Sequence, residues 1–308
     1  MALVRSLSEV RRLRRDFAGG FLGFSSHFIQ VPEDPAVDSP MAFLAEGDPG
    51  QGLRTHFHQV DQFQLVYAGS GTLGQHRLAP GGIHFARAYT PYGPLRNGEQ
   101  DGLAYMTLRA HRDPGARYLP EQRAQLEAVA DRAPWQVTCA ADFNLQPDAT
   151  GVAFKPVPGL QDNAGLGAWS FRLAPGAKTR APDASGGEGQ YILVLEGSLR
   201  HGDAAKQGLA IVWVAPHEDP FELVAGPDGM EGLVLNFPGA RTARPEPAAT
   251  PAEALRVWMC VLCGFVYEET AGAPEHGIPP GTRWADVRES FGCPDCSALK
   301  ADFEMVEV

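Results

Sequence analysis

The sequence is short of positive charge, cysteine, long apolar runs and helical periodicity, and each shortage removes a class of protein. Lys and Arg number 26 against 37 Asp and Glu, a net charge of −11, which argues against nucleic acid as the main partner. No apolar run approaches the length of a membrane helix. The start, MALVRSLSEVRRLRRDFAGGF, carries five arginines before Phe17 but lacks the apolar core of a secretory signal. A short basic helix packing on the body is expected there. Otherwise only 119–133, with Pro120 near its start, has a clear helical pattern. Of five cysteines, Cys139 stands alone in a half-buried strand pattern.

The other four cysteines organise the C-terminal end. Cys260 and Cys263 form one C-x-x-C pair, and Cys293 and Cys296 form another about thirty residues on. Such turns bring two sulfurs together, and two facing turns make a tetrahedral cage suited to zinc or iron. Two disulfides are the competing reading, but the paired spacing is that of metal knuckles. Four thiolates fill the coordination shell, so the site is structural or carries electrons and leaves no position for substrate. A domain this small needs the metal for part of its folding energy.

Between and around the pairs run Gly264-Phe265-Val-Tyr267, Gly277-Ile278-Pro279-Pro280-Gly281-Thr282-Arg-Trp284, Lys300 and Phe303. From Arg256 to Val308 this resembles rubredoxin. The resemblance implies one iron on four thiolates, cycling between ferric and ferrous. It also implies a small aromatic core of Trp258, Phe265, Tyr267, Trp284, Phe291 and Phe303. The stretch 287–291 departs from the family, which usually has a proline and a tryptophan there. Four Lys/Arg against nine Asp/Glu from Arg256 onward suit docking on a basic redox partner.

Upstream, short apolar runs alternate with Gly/Pro turns. Runs 65–67, 82–85, 103–108, 169–173, 191–195, 210–214 and 232–235 read as strands of an all-β sandwich or barrel. The pattern repeats: Gln62-Phe-Gln-Leu-Val-Tyr-Ala-Gly69 returns as Gln190-Tyr-Ile-Leu-Val-Leu-Glu-Gly197. With His56-Phe-His58, Gln62 and Gly69 at their spacing, 51–237 resembles a bicupin of the cupin family.

His56 and His58, two apart on a strand, share a face. In that family the face is the barrel interior, where a divalent metal is held by histidines and often a carboxylate. Gln62 stands in the carboxylate position here, and Arg96 in that of the third histidine; His84 is a candidate replacement. Arg96 and Tyr92 are expected to meet an anionic substrate. The second copy has Ala184 and Gly186 at the histidine positions and reads as structural.

The expected fold class is all-β. An N-terminal segment (1–50) precedes a first cupin barrel (51–118), a helix and connector (119–165), a second barrel (166–238), a Pro/Ala linker (239–255) and the rubredoxin-like domain (256–308). Expected cofactors are one iron, with zinc as the alternative, and a second divalent metal at His56, His58, Gln62 and His84. A small anionic ligand, a redox protein and a second copy of the chain are the expected partners, with no nucleic acid or membrane, in a reducing cytoplasm. Two functions are in view. One is an electron-transfer oxidoreductase whose first barrel is a metal-dependent oxygenase of a small organic acid. The other is a non-catalytic ligand-binding or redox-sensing bicupin.

Overall fold

The computed structural model describes residues 2–17, 21–129, 134–239, 255–260, 265–294, 300 and 303–306. Most of the 239–255 linker, together with Cys263 and Cys296, lies outside them. All seven runs read as strands are strands.

The first barrel is built on a seven-stranded antiparallel sheet. Its order is Gln136–Ala140, Gly82–Ala86, Gln62–Gly69, Leu103–Arg109, Met41–Gly47, Phe21–His27 and Arg12–Phe17. A four-stranded sheet of Gly52–Leu53, Leu95–Asn97, Gly71–Leu73 and His76–Leu78 covers the other side. The barrel thus draws strands from before residue 51 and after residue 118, beyond the bounds expected from the repeat alone. The second barrel's eight-stranded sheet is centred on Gly187–His201, which lies between Ala210–Val214 and Glu222–Pro238.

The repeat is structural as well as sequential. Gly69 and Gly197 both sit at positive φ, +78° and +76°, where only glycine is at ease. A Cβ on either would collide with a facing carbonyl, that of Gly102 or of Gly229. One apolar core runs across both copies, with Phe63, Leu65, Phe85 and Leu108 meeting Tyr191, Leu193, Leu235 and Phe237. Each fully buried side chain of this size contributes about 1.5–3 kcal/mol.

The basic helix expected at the N-terminus is not there. Leu3–Ser6 is a strand on Ala210–Val214 of the second barrel, and Arg12–Phe17 pairs with Phe21–His27 of the first. The arginines explain the difference. Arg12 and Arg14 alternate at the strand period, stack over the Phe24 ring and pair with Glu46 and Asp48. The second expected helix is reduced to Arg123–Glu127, which has one buried residue, Leu126. Residues 130–133 lie outside the described set.

An ion pair ties the barrels together. His111, just past the strand Leu103–Arg109, meets Asp38 at 2.6 Å and Glu188 of the second barrel at 3.1 Å. Hydrogen bonding to Glu188, then to Asp38, raises its pKa from 6.5 to about 9. The protonated ring therefore stabilises the fold fully below pH 6.5, and this contribution is lost as pH rises through about 9. With the ring 41% exposed, the effect is on the order of 1 kcal/mol or less. His111→Ala should lower the urea midpoint at about pH 6 and leave it unchanged at about pH 10. An equal loss at both pH values would assign the effect to packing.

The C-terminal unit is a three-stranded sheet, Val266–Glu268, Val257–Cys260 and Phe303–Val306, closed over an aromatic cluster. All six aromatic residues expected in its core are there. Val287 and Phe291, from the departing stretch, are buried at 3% and 1% exposure, so that stretch fills the core with other side chains.

Candidate functional site

Cys260 ends the strand Val257–Cys260, and its amide donates to the Phe265 carbonyl at 2.8 Å. Cys293 follows Phe291 into the same core. Both cysteines are buried, at 0% and 2% exposure, among Tyr267, Trp284, Phe291 and Phe303. The nearby buried carboxylate, Glu269, is already committed. It accepts the amides of Arg256 and Trp284 at 2.8 Å each and the Trp258 indole N–H at 3.0 Å. Burial pushes its pKa up, but these donors, that of Trp284 foremost, bring it below the ordinary value. Thiolate is therefore the ligand chemistry on offer, and the site fits a thiophilic metal. Lys300 reaches back to the Val287 carbonyl at 2.5 Å and to Glu289 at 2.8 Å, pinning the chain beyond the second cysteine pair.

In the first barrel, His56, His58, Gln62, His84 and Tyr92 are all buried in one interior. The His56 and His58 rings stand 5.3 Å apart edge to face, and Tyr92 lies 4.6 Å from His56 and 4.9 Å from His84. Each imidazole is held by Nδ1: His56 to the Arg54 carbonyl at 2.7 Å, His58 to Asp113 at 2.8 Å and His84 to the Thr138 hydroxyl at 2.9 Å. The carbonyl and carboxylate are acceptors, so His56 and His58 carry the proton on Nδ1 and a lone pair on Nε2. Burial holds all three neutral, lowering His56 and His84 to about 3 and His58 to about 4.

Arg96 is not part of this interior. It lies exposed on Leu95–Asn97 between the buried Leu95 and Asn97, and so points off the outer face. The interior cation is Arg109, 4% exposed, at the end of the strand Leu103–Arg109. Its Nε donates to Gln62 Oε1 at 2.8 Å and its Nη2 to the same oxygen at 2.5 Å; Nη2 also lies 3.2 Å from both ring nitrogens of His58. Gln62 Nε2 donates to the Tyr92 hydroxyl at 2.6 Å. Asp113, 3.9 Å from Arg109 Nη1, balances the charge. Burial opposes ionisation of Asp113, but hydrogen bonding to His58 and the Arg109 charge bring its pKa to about 2. From the second barrel, the Tyr191 hydroxyl lies 3.1 Å from the Arg109 carbonyl and fixes that strand end.

The divalent metal expected here does not fit these residues. An ion about 2.1 Å from His58 Nε2 would lie within about 5 Å of the Arg109 guanidinium. At an effective dielectric of about 20, that pairwise repulsion is roughly 7 kcal/mol, and the Asp113 carboxylate, on the far side of the His58 ring, offsets part of it. Among the described residues, no three His, Cys, Asp or Glu side chains converge to hold a metal ion. Arg109 and Asp113 escaped the sequence reading, since the apolar run around Met106 ends at Leu108. The repeat carried the signal: Gln190 pairs across the ladder with Asn236, as Gln62 stands opposite Arg109.

Comparisons with known proteins divide along the same line. The rubredoxin family matches residues 257–303. Rubredoxin-2 of Pseudomonas aeruginosa is 56% identical over 54 residues, covering 18% of this chain and 98% of that protein. Rubredoxin-1 of Alcanivorax borkumensis is 54% identical over 54 residues, covering 18% of this chain and 100% of that protein. For the barrels the likeness is one of fold. A bacterial pirin from Escherichia coli, solved in complex with nickel(II), superposes with a TM-score of 0.51 at 13% identity, over 78% of this chain and 100% of that one. A putative dioxygenase from Nostoc punctiforme gives 0.50 at 14% identity, over 79% and 85%. The chain thus belongs to the rubredoxin family through its C-terminal domain, which it carries behind a body of two cupin-type barrels.

Proposed function

We propose that this is an electron-transfer protein whose rubredoxin domain, with iron on Cys260, Cys263, Cys293 and Cys296, docks on a ligand-binding bicupin. When bound, the iron supplies a one-electron ferric–ferrous couple. The supporting observation is where the domain meets the body. Gln136 Nε2 of the first barrel lies 3.6 Å from the sulfur of Met259, the residue before Cys260. Thr138, two residues on, holds His84. A cleft of about 320 Å³ lies between, lined by Leu73, His76 and Thr138 on the barrel and Val257, Met259 and Glu268 on the domain.

For the barrel itself, Arg109 favours the ligand-binding reading over a metal-dependent oxygenase. A small organic acid is the ligand class that a guanidinium suits, and it would reach this one by displacing Gln62 or Asp113, which now engage it. The acidic C-terminal domain suits a basic redox partner, in a reducing compartment where thiolates stay available.

The purified protein is expected to be red, to carry one iron per chain and to bleach reversibly with dithionite. A colourless protein holding only zinc, even from iron-rich medium, would end the electron-transfer reading.

A further inference from the structure

We infer that the first barrel is a latent metal site closed by its own cation: Arg109 sets a positive charge beside His58 and takes the Gln62 oxygen that a divalent ion would take. This rests on the metal-free reading of the barrel above and goes further by naming the residue that excludes the metal.

The imidazoles are already set as ligands. His56 and His58 are anchored through Nδ1 to a carbonyl and a carboxylate, the arrangement that orients a metal-bound histidine and leaves Nε2 to coordinate. His84 Nδ1 lies 2.9 Å from the Thr138 hydroxyl, and its buried Nε2 has no hydrogen-bond partner among the described residues. At the centre the guanidinium takes Gln62 Oε1 with two hydrogen bonds and lies over the His58 ring, Nη2 being 3.2 Å from both of its nitrogens.

The second barrel shows that the closing strand is where this position is satisfied. Gln190 pairs directly with Asn236 and donates to its carboxamide oxygen at 2.7 Å. Asn236 carries no charge, but it has no histidines to work with, since Ala184 and Gly186 stand at those positions. The first barrel keeps the histidines and places a cation against them. Gln62 suits that cation, because one carboxamide oxygen accepts two N–H groups while its amide serves Tyr92. Charge and geometry therefore act together: the guanidinium repels a second cation and occupies one of its ligands, Gln62 Oε1.

The test is titration of the full chain with Co(II) at neutral pH, its cysteine site filled with zinc so that the protein is colourless. The wild type should show no barrel-bound Co(II), seen as no difference in heat or visible absorption between it and His56→Ala. Arg109→Gln, which removes the charge and keeps a hydrogen-bonding side chain, should gain one Co(II) equivalent. Its affinity should be at least about a hundredfold above the wild type, and the gain should vanish in Arg109→Gln combined with His58→Ala. Wild-type binding of Co(II) that His56→Ala abolishes would overturn both this inference and the metal-free reading. A folded Arg109→Gln that gains no Co(II) would overturn this inference alone. If Arg109→Gln does not fold, Arg109→Lys decides. A point charge that cannot fork onto Gln62 should still exclude the metal, and Co(II) uptake by that variant would count against charge as the cause.

Discussion

Cys260→Ser is expected to abolish the red colour and unfold the C-terminal domain, while the two barrels keep their melting transition. The serine hydroxyl does not ionise at neutral pH, so the iron loses a thiolate and the charge that thiolate brings. The domain has little else to hold it. Its core is one aromatic cluster around Trp284, and about fifty residues cannot bury enough apolar area alone. Metal binding contributes on the order of 10 kcal/mol in comparable thiolate domains. Cys260 also pairs with Phe303 across the ladder, so loss of the metal should release that strand too. Hydrogen exchange of the 257–260 amides would report the loss, and calorimetry the unchanged body. If the variant keeps a full equivalent of iron, Cys260 is not a ligand.

Asp113→Asn is expected to destabilise the body by about 3–5 kcal/mol, because a buried guanidinium is left without its counter-charge. The carboxylate faces Arg109 at 3.9 Å, accepts from His58, and takes the amides of Gln59 at 3.0 Å and Gly115 at 2.7 Å. An amide group in its place turns an N–H toward one of those donors. Adding Arg109→Met should recover part of the loss, since an apolar pair costs less than a lone buried charge. The wild type should show the same dependence on pH. The folded pKa of Asp113 lies below its ordinary 3.8, so its contribution is present above that value and lost as pH falls toward about 2. Urea denaturation of the two variants and the wild type gives the cycle, and a single-variant loss under about 1 kcal/mol would mean that Arg109 does not depend on Asp113.

The residues legible in the sequence were those whose signal is local. C-x-x-C spacing, the aromatic pattern around it and the repeated Gln-to-Gly strand each lie within a short stretch; the aromatic cluster and the repeated strand are present in the fold, while Cys263 and Cys296 lie outside the described residues. What escaped was set by distant partners. Arg12 and Arg14 read as a basic helix until Glu46 and Asp48 are seen across the hairpin. Arg109 reads as the first residue of a loop, because its partner Gln62 is 47 residues away. Asp113 and His58 are separated by 55. Arg96, chosen by spacing from the motif, faces outward because its neighbours Leu95 and Asn97 are the ones that alternate inward.

The strand Leu3–Ser6 is made long before it can be used. Its partner, Ala210–Val214, leaves the ribosome some two hundred residues later, a wait of about 10–40 s at ordinary rates of synthesis. Until then Leu3–Ser6 has no strand to pair with, and an unpaired strand is a template for association with other chains. Replacing Leu3 and Val4 by glycine should therefore reduce soluble yield, because it weakens the segment that must return and seal the sheet.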